Sequence, residues 1–352
     1  MSDVQTIKEI YVSSVSRNGS SSKSKLAKLE EIKNNFTDTR LLWIDLIIGD
    51  LALGAEEAAK TLDLQPDPSE LLSGYISSFE DRSDSLAVMI PIVRWQGSEI
   101  NTTPLLIFLK KNKLTTIRDE FAETLVKLSR YSEAFLRKLP GEESLWVDRQ
   151  TLLLARIIDE IIESNFNALK SIVEQAEMIQ IELAMSATKR ESLGVEIFEL
   201  KKSVLAYLSA VWAIRDVLHS LRYGDADMIS DSTETLTKFD VLLGDLDRQM
   251  SMAEHVLQVL TGAISAIQTI FQGELQTASN AMTTLLLWLT IIGTAILVPN
   301  TLATIYGIPF LPISTEEHTY SILFSIIGSS ILATGIVFVY VKRWSKNKLK
   351  IF

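Results

Sequence analysis

The sequence predicts an α/β domain that is followed by long helices and by two C-terminal transmembrane helices. Three observations support this fold class. Up to Pro140, short apolar runs alternate with stretches of helical spacing, as expected for strands and helices of one domain. No proline interrupts the chain between Pro140 and Pro299. No charged residue occurs between Glu274 and Glu316, a stretch that is mostly apolar.

The α/β domain is predicted to cover residues 1–140. Runs rich in β-branched and aromatic residues predict buried strands, which lie at residues 41–48, 86–95, 104–111 and 113–119. A further strand is expected at Ile7–Val15, in a Ser- and Lys-rich stretch of about 25 residues whose start is expected to be mobile. Helical spacing predicts three helices, at Ala55–Leu64, Ser69–Ser77 and Asp119–Leu139.

Three long helices are predicted to follow. Two of them, at Glu143–Thr188 and Glu191–Arg222, form a cytoplasmic helical region at residues 141–231. The third runs from near Ser232 to Tyr306. It belongs to a segment at residues 232–307, in which a stalk helix continues into the first membrane helix. At 1.5 Å per residue this helix is about 110 Å long, whereas a bilayer core is ~30 Å thick. Most of the helix therefore extends into water.

The two membrane helices determine the predicted topology. The stretch from Asn280 to Phe310 is long and apolar enough to span a bilayer, and so is the second span at residues 320–341. The external loop between them, residues 308–319, has no Lys or Arg, whereas the tail at residues 342–352 is basic. The positive-inside rule then places both termini in the cytoplasm of a protein that crosses the cell membrane twice.

One face of the first membrane helix is mostly small or polar, and we call it the stripe. Its eight residues recur at helical spacing: Thr283, Leu286, Thr290, Gly293, Leu297, Asn300, Thr304 and Gly307. A membrane helix places such a face against protein or water rather than lipid. The stripe therefore predicts either a pore-lining helix or close packing against another helix.

Composition limits the possible functions. The residues after 274 contain five basic and two acidic side chains, so the net charge of −10 arises entirely from the preceding part. This acidic part argues against nucleic acid as a partner and suits divalent cations. The chain has no cysteine, which excludes thiolate metal sites. It also has no phosphate-binding glycine loop and no nucleophile with a paired base, so we expect no enzyme activity and no cofactor beyond a transported or regulatory cation.

The membrane segments resemble the CorA family of divalent-cation channels. The residues that carry the resemblance are Leu289-Thr290-Ile291-Ile292 and Ala303-Thr304-Ile305-Tyr306-Gly307, and the strands with Trp43-Ile44-Asp45-Leu46 and Thr115-Thr116-Ile117-Arg118 extend it more loosely over the chain. The family has Met-Asn where this chain has Ile308-Pro309. The resemblance implies a funnel-shaped homopentamer in which five copies of the third long helix surround one pore.

The resemblance also assigns roles to pore residues. In the family a glycine carbonyl and an asparagine amide form an oxygen ring around a hydrated cation. Here Gly307 supplies the carbonyl, Pro309 supplies no amide, and Asn300, two turns deeper, is the candidate replacement; the alternative is an Asn that bonds to a neighbouring helix. Leu286 and Leu297 would form apolar gates or ordinary packing contacts. Hydroxyl rings would come from Thr290 and Thr304, and Thr283 is a further pore residue.

Acidic residues outside the pore are further candidates. Glu316 and Glu317 would concentrate cations at the outer mouth, or simply form a solvated loop. Family members bind Mg²⁺ between adjacent cytoplasmic domains, and the resemblance implies five candidate regulatory ligands: Glu80, Asp81, Asp84, Asp245 and Asp247. The alternative for these five is a solvated acidic turn and a polar helix face.

The predicted function is a channel for passive transport of divalent cations, Mg²⁺ first, that is gated by cation binding between cytoplasmic domains. Because Ile308-Pro309 replaces the family's Met-Asn, an alternative is that this chain is a transporter of the same fold for Zn²⁺, Co²⁺ or Ni²⁺. A second alternative is a non-conducting, membrane-anchored cation sensor or scaffold of the same fold.

Overall fold

A computed structural model describes residues 7–36, 39–74, 76–97, 99–120, 123–185, 190–224, 226–307 and 315–349. The chain forms two compact units, Met1–Ile267 and Gln268–Phe352. The first unit contains the sheet and most of the helices, and the second contains the C-terminal part of one long helix together with the last helix.

A seven-stranded sheet forms the centre of the α/β domain. The strands pair in the order β2-β1-β3-β7-β6-β5-β4, and every described pair is antiparallel except β3 with β7. The strands are β1 Ile7–Ser16, β2 Ser21–Leu26, β3 Thr39–Ile48, β4 Ser78–Arg82, β5 Ser85–Gln96, β6 Glu99–Lys110 and β7 Lys113–Asp119. The domain's helices are α1 Glu30–Asn35, α2 Leu51–Leu62, α3 Pro68–Leu72 and α4 Glu123–Leu136.

The structure adds two strands to those predicted and shortens one predicted helix. The five predicted strands are present as β1, β3, β5, β6 and β7, whereas β2 and β4 were not predicted. Neither strand has an apolar face that sequence patterns detect, because β2 reads SSKSKL and β4 reads SFEDR. The helix α3 ends at Leu72 rather than Ser77, and a Cβ on Gly74 would come within 2.9 Å of the Ser77 carbonyl oxygen.

Helices cover both faces of the sheet. Successive side chains of a strand point to opposite faces, so Trp43 belongs to the core shared with the long helices, whereas Ile44 belongs to the core under α1, α2 and α3. Between these layers Arg118 of β7 pairs with Asp45 of β3, with 2.9 Å between Nη2 and Oδ2. Thr116 donates to Asp45 Oδ1 at 2.8 Å. The parallel strand pair is therefore joined by a buried polar network.

The long helices are α5 Trp146–Met185, α6 Arg190–Tyr223 and α7 Thr233–Tyr306, and a short 3-10 turn at Glu143–Leu145 precedes them. A buried polar bridge joins all three. The Tyr207 hydroxyl of α6 donates to Gln249 Oε1 of α7 at 2.7 Å, and Gln249 Nε2 donates to the Ile162 carbonyl of α5 at 3.0 Å. Burial raises the pKa of Tyr207 well above its usual range, so this hydroxyl remains a donor.

The last helix, α8, spans Thr315–Leu349. It begins inside the segment that was predicted as an external loop, and it continues past Val341 into the basic tail. The predicted membrane span at residues 320–341 thus lies within a longer helix, and its limits stay a prediction.

Candidate ion pathway and regulatory carboxylates

Three helices of the described chain are long and apolar enough to cross a membrane. In α6, 56% of the most apolar stretch is buried inside the protein, where its residues contribute to the core of the first unit. The most apolar stretches of α7 and α8 contain no fully buried residue. By length and composition, α7 and α8 are therefore the helices whose apolar surface remains without a covering layer in the described part of the chain.

The stripe lies on the side of α7 that faces away from α8. All eight stripe residues are exposed. Among the residues that the structure describes, two hydrogen bonds join the helices. Ser330 Oγ donates to the Ala295 carbonyl at 3.2 Å, and the hydroxyls of Tyr306 and Ser325 lie 3.4 Å apart, where either can be the donor. The half-buried residues of the same stretch are Leu287, Ile291, Thr294, Ala295, Val298, Pro299, Leu302 and Tyr306. At about 100° per residue, the mean direction of this set is about 150° from that of the stripe. Packing between α7 and α8 therefore does not account for the stripe.

The threonines of the stripe have a common hydrogen-bond geometry. Thr283, Thr290 and Thr304 each donate to the carbonyl four residues earlier, at 2.9, 2.8 and 2.8 Å. A hydroxyl has one proton and two lone pairs, so the outward side of each oxygen can act only as an acceptor. Water bound to a cation donates hydrogen bonds outward. The threonine oxygens are therefore suited to a cation that keeps its hydration shell.

The apolar and small positions of the stripe are open. Leu286 is 56% exposed and Leu297 is 67% exposed. A Cβ added to Gly293 would meet nothing within 4 Å, so packing within the chain does not require a glycine there. Among the described residues, the side-chain amide of Asn300 has no hydrogen-bond partner. Both its donor and acceptor groups are therefore available at the exposed face of α7.

The end of α7 is at Gly307. Its N–H is shared between the carbonyls of Ala303 and Thr304, at 3.0 and 3.2 Å. A Cβ on Gly307 would meet these two oxygens at 3.4 and 3.6 Å, which is ordinary contact. Ile308 and Pro309 lie outside the described residues, as do the side chains of Glu316 and Glu317. The filter and outer-mouth roles of these positions stay predictions.

The regulatory candidates fall in two separate places. Glu80 and Asp81 are part of the edge strand β4 rather than of a turn before a strand, and Asp84 lies in the turn that follows. Partial burial raises the pKa of Asp81, and the negative charge of Asp227 raises it further. Asp227 lies between α6 and α7 and was not singled out in the sequence, where one acidic loop residue gives no distinct signal.

The α7 candidates already have cationic partners. Arg215 Nε donates to Asp247 at 2.9 Å, and Arg248 pairs with Asp245 at 3.0 Å. Within the described residues, no group of three or more acidic or histidine side chains is placed to hold a metal ion. One chain therefore does not bring the five predicted ligands together, and their regulatory role stays a prediction.

Comparisons with known proteins agree with this architecture. Residues 38–343 match the family model described as "CorA-like Mg2+ transporter protein". No curated protein gives a match. The solved CorA magnesium transporter from Methanocaldococcus jannaschii has a TM-score of 0.65 at 20% identity, and the match covers 95% of this chain and 97% of that one.

Two further solved structures are similar. The full-length CmaX protein has a TM-score of 0.51 at 17% identity, over 97% of this chain and 99% of that one. The ZntB cytoplasmic domain from Vibrio parahaemolyticus also has a TM-score of 0.51, at 12% identity, over 76% of this chain and 99% of that one. At such identities the likeness concerns the fold, and it confirms the predicted order of an α/β domain, long helices and C-terminal apolar helices.

Proposed function

This chain belongs to the CorA-like Mg2+ transporter family, and we propose that it forms a channel that passes divalent cations, Mg²⁺ first, down their electrochemical gradient across the cell membrane. The observation that carries the proposal is the stripe. It is exposed along its whole length, it faces away from α8, and its threonine oxygens present acceptors. The similar M. jannaschii structure is that of a magnesium transporter, which supports Mg²⁺ as the first ion to test.

The proposed assembly is a homopentamer with two membrane spans per subunit and both termini in the cytoplasm. Five stripes around one axis would line a pore, while α8 of each subunit contacts the back of its own α7. The threonine hydroxyls and the Gly307 carbonyl then hydrogen-bond to the water around the cation, so that Mg²⁺ need not lose its shell. Leu286 and Leu297 form apolar constrictions, and Asn300 supplies the amide ring.

The proposed gate uses the cytoplasmic carboxylates. Partial burial, and then the negative charge of Asp227, raise the pKa of Asp81, so a cation beside this carboxylate would stabilise its charged form. A divalent cation held between this strand and an adjacent subunit would relieve the repulsion and hold subunits together. Binding at Asp245 or Asp247 would compete with Arg248 and Arg215, which makes these two the weaker candidates.

The test is ion uptake by liposomes that contain the purified full chain and a Mg²⁺-sensitive dye. We expect Mg²⁺ influx that depends on protein and is blocked by hexammine cobalt, whose ammine shell imitates that of hydrated Mg²⁺. Liposomes with Asn300→Ala protein test the amide ring, and protein-free liposomes give the leak. Parallel assays with Zn²⁺, Co²⁺ and Ni²⁺ use dyes for each ion.

Two results would replace the proposal. Flux of Zn²⁺, Co²⁺ or Ni²⁺ without Mg²⁺ flux would assign this chain a different ion. Absence of flux for every ion, together with cation-dependent thermal stabilisation of the protein, would indicate a membrane-anchored sensor.

A further inference from the structure

Pro299 lies inside α7 and leaves one backbone carbonyl without its helical donor. In a continuous helix the N–H of residue 299 would bond to the carbonyl of Ala295, but proline has no N–H. In the hydrocarbon region no water is available to take the place of that donor, so the carbonyl needs a partner from protein. A helix that lacks one hydrogen bond also bends more easily at that point.

Ser330 of α8 provides the missing donor. Its Oγ donates to the Ala295 carbonyl at 3.2 Å, across 35 positions of sequence. Neighbouring hydroxyls behave differently: Ser329 donates to Ile326 within its own helix at 3.0 Å, and Thr294 donates to Thr290 at 2.9 Å. The bond from Ser330 is therefore directed to the carbonyl that Pro299 frees, rather than to its own helix as is usual for serine in membrane helices.

The position of this bond relates it to the stripe. Ala295 and Pro299 are on the half-buried face of α7, while Leu297 and Asn300 lie on the exposed face at the same height. Close approach of the two helices is favoured by small side chains on α8, where Ser329, Ser330, Ala333 and Thr334 are all half-buried. A hydroxyl at 330 thus fixes the back of α7 at the one point where its ladder of hydrogen bonds is interrupted.

We propose that Ser330 is a positioning residue of the ion pathway: by bonding to the carbonyl that Pro299 leaves free, it sets the direction in which Leu297 and Asn300 face. The inference rests on the proposed channel function. Without the hydroxyl, α7 is free to bend at Pro299. The residues that follow the proline in the chain then change their orientation relative to those that precede it.

A two-by-two set of variants tests the bond itself in the purified full chain. Ser330→Ala removes the donor, and Pro299→Ala restores an N–H to the Ala295 carbonyl. We expect Ser330→Ala to lower the thermal midpoint by about 2 °C or more with Pro299 present and to have no effect with Pro299→Ala. Ser330→Thr should behave as the unaltered chain. Ser329→Ala, which removes a bond within α8, is the matched control, and its effect should be the same in both backgrounds.

A labelling experiment tests positioning without relying on transport. Because the chain has no cysteine, a single Asn300→Cys or Thr283→Cys can be labelled with a water-soluble thiol reagent in liposomes. We expect Ser330→Ala to change the labelling rate at position 300 by about threefold or more, a factor that corresponds to the net free energy of one hydrogen bond. The labelling rate at position 283 should not change. Position 300 should be labelled at the original rate in the Ser330→Thr protein, and also when Ser330→Ala is combined with Pro299→Ala.

The outcomes separate this inference from the proposed function. The positioning role would be overturned if Ser330→Ala lowered the thermal midpoint equally with Pro299 and with Pro299→Ala. It would also be overturned if Ser330→Ala left the labelling rate at position 300 unchanged. If the original chain carries no ion while the cycle and the labelling behave as expected, the channel function fails, and with it the role of Ser330 in an ion pathway. In a conducting chain, Ser330→Ala should alter Mg²⁺ flux, and Ser330→Thr should restore it.

Discussion

Breaking the Asp45–Arg118 pair should destabilise the α/β domain more than breaking any surface ion pair. The two side chains are 3% and 0% exposed, and Arg118 contacts the carboxylate through both Nε and Nη2, at 3.1 and 2.9 Å. Arg118→Met leaves a buried carboxylate with the Thr116 hydroxyl as a partner. Removal of one member of a buried pair costs about 3–5 kcal/mol. At roughly 2–4 °C per kcal/mol, the thermal midpoint should fall by about 6–20 °C.

The assay is calorimetric unfolding of the full chain in detergent, with two comparisons. The first is Arg82→Met, which breaks the exposed pair with Glu70 and should cost about 1 kcal/mol or less. The second is the double variant Asp45→Leu with Arg118→Met, which removes both charges and should recover most of the loss. If Arg118→Met is as mild as Arg82→Met, or if the double variant is no better than Arg118→Met, the cost does not come from an uncompensated buried charge and our reasoning is wrong.

Three more predictions concern the proposed pore and the carboxylates. Thr290→Val keeps the shape of the side chain but removes the acceptor, so Mg²⁺ flux should fall by about threefold or more. Thr284→Val, on another face of α7, should leave flux unchanged, and equal losses would refute the acceptor role. Asn300→Ala should also reduce Mg²⁺ flux, and unchanged transport would eliminate the amide ring. Because the folded protein holds the Asp81 proton more tightly than the unfolded chain does, Asp81→Asn should stabilise the protein at neutral pH. The gain should shrink as the pH falls through the raised pKa and vanish below the unfolded-state pKa, which thermal unfolding across a pH series would measure.

The sequence was sufficient for the parts of the fold that have a strong apolar pattern. The strand at residues 41–48 was predictable because burial on both faces gives a nearly continuous apolar run. The helix α7 was predictable as one long element because no proline occurs in it before Pro299, close to its C-terminal end. The strands β2 and β4 were not predictable, since both lie at the edges of the sheet and their exposed, polar side chains resemble those of a turn.

The stripe was predictable as a face of a helix, but its surroundings were not. Periodicity places eight residues on one side of α7, and it leaves open which side the next helix contacts. That depends on the register of Ser330 against Ala295, a contact between positions 35 residues apart. The interaction of Asp81 with Asp227 likewise depends on how a loop after α6 approaches an edge strand, which a single sequence does not encode in a local pattern.

The chemistry of the stripe has a consequence for how ion flow responds to acidity. None of its eight residues has a side chain that gains or loses a proton in the physiological range. Discrimination between cations and anions would then come from fixed hydroxyl, amide and carbonyl dipoles, so protons could not neutralise the conduction path. Any effect of cytoplasmic pH on flux would have to originate in titratable groups outside the stripe, of which Asp81 is one. A channel held open by an Asp81 variant should therefore conduct equally well in mildly acidic and neutral solution.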